Sequence, residues 1–336
     1  MRRRFGSARM RSFSVGGSLR DRIVVTGAAG FIESSLTNRP LTDGRTVVGI
    51  DSFEYCHARE HKEANPASTR TNPAFTLVEQ NLLDANLPEV LEEAACVYHL
   101  FARTGVCASW GDSLEVYVRN KVWATQKVLD ACLVAGFPPV VHASSSSVNG
   151  DQDELPLRGD MTPKLRSPYG VTKLAGEHLL LLRTANHRPG TVSLHLFTDY
   201  CPHRRPDGAF QNFVRTRLEG RPVTVYGDGS QTRAFTYIDD IVEGLVRAPK
   251  APAASVRNIG GGNRVSLAEA IATLGDVVGA VPKVDRRPVE AGDVRDTLAD
   301  VSCLTAAVGY APRTRLADGL AVKHASPGAL RAEEFA

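Results

Sequence analysis

The stretch from Arg22 to Asp51 constrains the fold more than any other part of the chain. Arg22-Ile23-Val24-Val25-Thr26 is a short apolar run rich in β-branched residues, the pattern of a buried strand. Gly27-Ala28-Ala29-Gly30 follows as a turn, and Phe31-Ile32-Glu33-Ser34-Ser35-Leu36 reads as the start of a helix. A second strand, Thr46-Val47-Val48-Gly49-Ile50, ends in Asp51. Strand, glycine turn, helix, strand and acid form a dinucleotide-binding pattern: pyrophosphate rests on the helix N-terminus and the acid holds the adenosine ribose. An acid at Asp51 favours NAD over NADP, because it repels a 2′-phosphate. The GxxGxxG spacing asks for a third glycine where the chain has Glu33. That glycine serves close packing of helix on strand. Glu33 is therefore expected to shift the helix, and its charge to weaken the hold on pyrophosphate.

Further strands are expected at Phe75-Thr76-Leu77-Val78, Cys96-Val97-Tyr98-His99-Leu100 and Pro139-Val140-Val141-His142-Ala143, with helical segments between them, notably 113–135. This alternation predicts an α/β protein built on a doubly wound parallel Rossmann sheet. Ligands of such sheets bind beyond the carboxyl ends of the strands. Ser144-Ser145-Ser146-Ser147 stands just past one of those ends, and Ser167-Pro168-Tyr169-Gly170-Val171-Thr172-Lys173 opens the next helix. Tyr169 and Lys173 are four apart and share one helix face. A free phenol, with a pKa of about 10, is a poor base at neutral pH. A neighbouring ammonium favours the phenolate, and so does a positive nicotinamide. A tyrosine tuned in this way can take the proton of a sugar hydroxyl as hydride leaves the carbon.

The chain has 336 residues, enough for one large or two medium domains, and its 43% apolar and 23% charged residues are ordinary for a water-soluble fold. A net charge of +3 is too small to suggest nucleic acid, and much of the excess lies in residues 1–20, which hold six arginines and no acid. That segment resembles an organellar transit peptide in composition, but is read as a disordered basic extension. No apolar run is long enough to span a membrane. The six cysteines lack CxxC spacing and read as reduced thiols of a cytoplasmic protein. Cys56, His57 and His61 lack a further ligand cluster nearby, so no metal is expected.

With these residues in view, the chain resembles an extended short-chain dehydrogenase/reductase of the nucleotide-sugar epimerase and dehydratase family, over roughly residues 21 to 325. The resemblance implies NAD as cofactor, Tyr169 as base, Lys173 as its electrostatic partner and Ser145 as the assisting hydroxyl. It places cofactor contacts at Gly27, Gly30, Phe31, Ile32, Asp51, Asn81, Leu82, Leu100, Ala102, Asn120, Ser144, Tyr169 and Lys173. Sugar-nucleotide 4,6-dehydratases carry Asp-Glu after the assisting hydroxyl, and decarboxylases usually keep a glutamate at the second of these positions. This chain has Ser146 and Ser147 there, which leaves an epimerase.

Within the family, Thr198, Arg205-Pro206-Asp207, Val97 to Leu100 and Gly105-Val106 to Ala108-Ser109-Trp110-Gly111 resemble the UDP-glucuronate 4-epimerases. So does Asp51-Ser52-Phe53 with its downstream Ala64-Asn65. Departures are Cys107 for the usual arginine, Asn149 for tyrosine, Asn81 for aspartate and Cys201 for glycine. In the second half, Tyr226 suits a uracil ring, Arg233 and Arg295 suit a diphosphate, and Asp293 suits a ribose, with Val225 a further expected substrate contact. Asn258-Ile259-Gly260-Gly261-Gly262 reads as a strand and a structural turn. Ser145, Ser146, Ser147, Thr198 and Arg205 are the remaining expected sugar contacts.

The expected layout is an NAD domain over 21–196, with return segments near 236–262, and a smaller C-terminal α/β substrate-binding domain over 197–330. The resemblance also implies a homodimer formed through the helices near 113–135 and 168–185. Two alternatives stay open: a UDP-glucose/UDP-galactose 4-epimerase, and a non-catalytic sensor of NAD or UDP-sugar.

Overall fold

The computed structural model describes residues 21–53, 59–187, 190–200, 210, 221–261, 264–279, 283–289 and 294–325. The basic extension 1–20 and the expected features at Cys56, His57, Cys201, Arg205 to Asp207, Gly262 and Asp293 lie outside those residues.

The chain begins with six strands that join one sheet: β1 (Arg22–Thr26), β2 (Thr46–Asp51), β3 (Phe75–Glu79), β4 (Ala94–His99), β5 (Val140–Ser145) and β6 (Thr191–Leu196). Four short strands follow: β7 (Asp199–Tyr200), β8 (Val223–Tyr226), β9 (Thr232–Ala234) and β10 (Thr236–Tyr237). The next strand, β11 (Ser255–Ile259), returns to the large sheet. Its order is β11-β6-β5-β4-β1-β2-β3, and every pairing is parallel. The continuous apolar run of β1 follows from burial on both faces. Successive side chains point to opposite sides, so Ile23 and Val25 enter one core cluster and Val24 the other. Because β2 and β3 lie to one side of β1, and β4 and β5 to the other, the strand order reverses at β1. In sheets of this kind the ligand crevice opens at that reversal.

The helices of the first half are α1 (Phe31–Thr42), α2 (Arg59–Ala64), α3 (Ala67–Arg70), α4 (Leu87–Val90), α5 (Leu114–Tyr117), α6 (Ala124–Val134) and α7 (Pro168–His187). The single helix expected over 113–135 is α5 and α6 joined by a π-helical turn, Val118–Trp123. A π turn carries one extra residue and recurs at functional sites. Here it buries Asn120 and Lys121 while Val118 and Trp123 stay exposed. In the second half β8 pairs with β13 (Val284–Arg287), and β9 pairs with β12 (Arg264–Ser266). No described helix is long and apolar enough to cross a membrane.

Beneath the crevice His99 is buried between two threonines. Its Nδ1 is 2.9 Å from Thr26 Oγ1 and its Nε2 3.0 Å from Thr125 Oγ1. Thr125 Oγ1 also donates to Lys121 O, and Phe101 N donates to Thr26 Oγ1. One proton assignment satisfies all four bonds: His99 Nε2 donates to Thr125, and Thr26 donates to His99 Nδ1. The ring is then neutral, in keeping with a pKa lowered by burial, and further by Lys173, to about 3.

An unfolded histidine titrates near pH 6.5. Below that pH the unfolded chain binds a proton that the folded chain refuses. This share of stability is fully present above about pH 6.5 and is lost as the pH falls toward 3. Urea unfolding is expected to lose on the order of a few kcal/mol across that window from His99 alone. His99→Gln should flatten part of the slope, and an unchanged slope would refute the assignment.

Candidate active site

The dinucleotide turn is held by its own backbone. Gly27 N donates to Ile50 O at 2.7 Å and Gly30 N to Gly27 O at 2.7 Å. Gly27 has φ +79, and a Cβ there would lie 3.0 Å from Phe101 Cα, so the turn requires glycine on both counts. Asp51 is buried at the end of β2. It accepts from Ala29 N at 3.2 Å, Phe53 N at 2.7 Å and Lys62 Nζ at 2.8 Å. Asn65 Nδ2 donates to Ala29 O at 2.9 Å, which ties the downstream Ala-Asn to the turn. Nothing in the sequence pattern marked Lys62 as a partner of Asp51.

Phe31 is buried and Ile32 half-buried at the start of α1. Glu33 folds back over the turn: its Oε2 lies 2.1 Å from where a Gly30 Cβ would stand. Burial is the main cause that raises its carboxyl to about 8.

Four more of the expected cofactor positions follow strands β3 and β4. Asn81 and Leu82 follow β3, and Asn81 Oδ1 accepts from Leu83 N at 3.0 Å. Leu100 and Ala102 follow β4, the first buried and the second half-buried.

The residues expected to carry the chemistry gather where β5 meets α7. Ser144 is buried and donates to Glu177 Oε1. Ser145, Ser146 and Ser147 are half-buried, and Ser145 Oγ accepts from Ser147 N at 3.2 Å. Tyr169 N donates to Ser109 Oγ at 3.1 Å, which anchors the first turn of α7. A Cβ on Gly170 would lie 2.8 Å from Ser147 O, so a glycine there lets α7 press against the serine run.

Tyr169, Lys173 and Glu177 follow one another at spacing four and share one face of α7. Lys173 is buried and donates to Ala143 O at 2.5 Å. Burial lowers its pKa to about 8, opposed by the carboxylates of Glu33 and Glu177. Glu177 is in turn 2.9 Å from His195 Nε2.

Besides Lys62, the sequence did not point to Glu177 or Lys121. Glu177 was legible in principle, because it continues the Tyr169–Lys173 spacing by one more turn. Lys121 was not: its place depends on the π turn. Its Nζ lies 3.2 Å from the centroid of the Tyr169 ring and 4.6 Å from that of Tyr117. A cation on a ring face is attracted to it, and it favours the ionised phenol.

On the nucleotide side, Thr198 is half-buried beyond β6 and its carbonyl accepts from Thr236 N at 2.8 Å. Val225 is buried, and Tyr226, which ends β8, is exposed. Arg233 Nη1 donates to Arg295 O at 2.8 Å, which brings the two arginines together. Arg295 N donates to Asp151 Oδ1 at 3.3 Å, linking this segment to the residues after Gly150. Arg205 and Asp293 lie outside the described residues. Gly260 and Gly261 serve packing: a Cβ on Gly261 would lie 2.3 Å from Phe235 O. Among the described residues no cluster of three His, Cys, Asp or Glu side chains could hold a metal ion.

The strand, turn and helix around Gly27 and Gly30, the acid Asp51 and the Tyr169–Lys173 pair fit NAD, with Glu33 the one group that intrudes. Comparison with known proteins agrees with this geometry. A family model described as the NAD dependent epimerase/dehydratase family matches residues 23–260, and the chain belongs to that family. The uncharacterised UDP-glucose epimerase YtcB of Bacillus subtilis (strain 168) is 37% identical over 303 residues, 89% of this chain and 95% of the relative. The UDP-glucuronate 4-epimerase of Thermodesulfobacterium geofontis (strain OPF15) is 32% identical over 307 residues, 88% of this chain and 93% of the relative. Among solved structures, the UDP-glucuronic acid 4-epimerase of Bacillus cereus with UDP-glucuronic acid and NAD superposes with a TM-score of 0.87. It is 37% identical, and the match covers 90% of this chain and 98% of that one. The chain is an enzyme, an isomerase with NAD as its cofactor.

Proposed function

We propose that the enzyme interconverts UDP-glucuronate and UDP-galacturonate by inverting C4. The observation that carries this reading is the run Ser145-Ser146-Ser147 against the Tyr169 end of α7, with serines where dehydratases and decarboxylases have carboxylates. The relatives and the solved structure named for UDP-glucuronate support it.

The chemistry NAD supplies when bound is reversible acceptance of the C4 hydride. Tyr169 Oη takes the O4 proton, holds it while the 4-keto sugar turns over about its pyrophosphate link, and returns it to O4 once the opposite face of C4 has been presented for return of the hydride. Lys173 and Lys121 supply the positive charge that lets the phenol ionise. Oxidation at C4 makes the glucuronate a β-keto acid, which loses CO2 when its carboxylate swings perpendicular to the carbonyl plane. Hydroxyl donors from the serine run and Thr198 are suited to pin that carboxylate in plane. Tyr226 stacks on the uracil, and Arg233 and Arg295 hold the diphosphate with Asp293 on the ribose; Val225 and Arg205 are the further substrate contacts of this reading.

A UDP-glucose/UDP-galactose 4-epimerase is the second reading, favoured by the name of the Bacillus subtilis relative. A homodimer belongs to the same proposal. Trp110, Leu114, Val118 and Trp123 around α5, with Val171 and Leu182 on α7, expose apolar surface on the two helical segments that would meet. The division into an NAD domain over 21–196 and a nucleotide-sugar domain over 197–330 is proposed with it.

Incubating the purified protein with UDP-glucuronate, with and without added NAD, and separating the products tests the reading. UDP-galacturonate is the expected product. A UDP-pentose would mean that the carboxylate is not restrained, and turnover of UDP-glucose alone would put the second reading first. No turnover of either would leave the sensor.

A further inference from the structure

A helix N-terminus leaves its first N–H groups without partners and carries partial positive charge. In a dinucleotide fold those N–H groups receive the pyrophosphate. The N-cap of helix α1 is Gly30, which offers no capping side chain. Three residues on, Glu33 turns its carboxyl back into the hollow that the glycines leave open. Its Oε2 would meet a Gly30 Cβ at 2.1 Å, and its Oε1 a Gly27 Cβ at 3.5 Å. Its own backbone amide, one of the donors of the helix terminus, favours the charged form of the carboxyl. The charged groups that bear on it come from three other elements: Asp51 of β2, Lys62 of α2 and Lys173 of α7.

We propose that Glu33 is a built-in competitor for the cofactor's pyrophosphate, seated on the N-terminus of α1, so that NAD binds only as this carboxyl leaves. NAD then exchanges with solution instead of staying held from one turnover to the next. The inference concerns cofactor binding alone and stands whichever sugar nucleotide is the substrate.

Charge adds to the competition. Burial and Asp51 raise the Glu33 carboxyl to about 8, while Lys62, Lys173 and its own amide oppose the rise. Below that pH it is a neutral group that must be moved aside. Above it, it is an anion that also repels phosphate, so NAD affinity falls as pH rises through about 8. Lys173 loses its charge in the same range and adds to the fall.

The test is calorimetric titration of NAD into nucleotide-stripped full-length protein, about one pH unit below and above 8. Wild type, Glu33→Gly and Glu33→Gln are compared, with circular dichroism as a check on folding. The glycine variant is expected to bind NAD about tenfold more tightly than wild type at the lower pH. The glutamine variant, which keeps the bulk and Lys173 but cannot ionise, is expected to lose less affinity with rising pH than wild type. Folded variants with the wild-type affinity and the wild-type pH slope would overturn the proposal. If Glu33→Gly does not fold, the slope of Glu33→Gln against that of wild type decides alone. No NAD binding by any folded form would overturn the seat itself, and UDP-sugar turnover plays no part in the readout.

Discussion

Replacing Tyr169 by phenylalanine is expected to lower turnover on the order of 10³-fold or more while binding of the sugar nucleotide persists. The ring stays, and with it the contact to Lys121 and the edge-on packing against Tyr117, whose ring centroid is 6.3 Å away. Only the phenolic oxygen is lost. No other group in the described site is placed to do its work: Lys173 is a buried donor to Ala143 O, and Ser145 accepts from the backbone of Ser147. Initial rates by product separation, beside UDP-sugar binding by calorimetry, measure the two effects apart. Turnover within about tenfold of wild type would remove Tyr169 from the role of base.

Lys173→Met is expected to cost about 100-fold in kcat, and the loss should depend on pH. The substitution keeps an unbranched stem, one atom shorter, and removes the charge. Lys173 carries that charge below a pKa of about 8 and loses it above. Its support of the Tyr169 phenolate is thus present at low pH and fades as pH rises through 8. The ratio of wild-type to variant kcat should therefore be largest at neutral pH and narrow on the alkaline side. A ratio that stays constant across the range would assign Lys173 a structural role as donor to Ala143 O. The burial that moves the lysine also links it to Glu177, so loss of the charge leaves the Ser144–Glu177–His195 cluster without its cation.

Much of this site was legible in the order of residues. The apolar run before Gly27, the acid after Ile50 and the four-residue step from Tyr169 to Lys173 are local patterns. A period of two or of 3.6 residues and a glycine turn leave direct marks on a sequence. The serine run could be placed at the mouth of the crevice because parallel strands put all their carboxyl ends on one edge. Glu177 lay one helical step beyond what was read.

Other features could not be read in that way. Lys121 looked like one charge in a helical stretch until the π turn at Val118–Trp123 rotated it onto the Tyr169 ring. Lys62 reaches Asp51 from a helix eleven residues on, and no periodicity connects them. Glu33 was legible as the wrong residue at the third glycine position, but its direction was not. An outward rotamer would have made it a surface acid beside the site. The inward one places a carboxyl on the helix terminus that the cofactor needs.

The sequence by itself thus determined the sheet, the crevice and the identity of the Tyr169–Lys173 pair, since short-range periodicity and turn chemistry dictate all three. Only the tertiary structure decided the charge around that pair. Burial sets the pKa values of Glu33, Lys173 and His99, and burial depends on which distant segments pack over them.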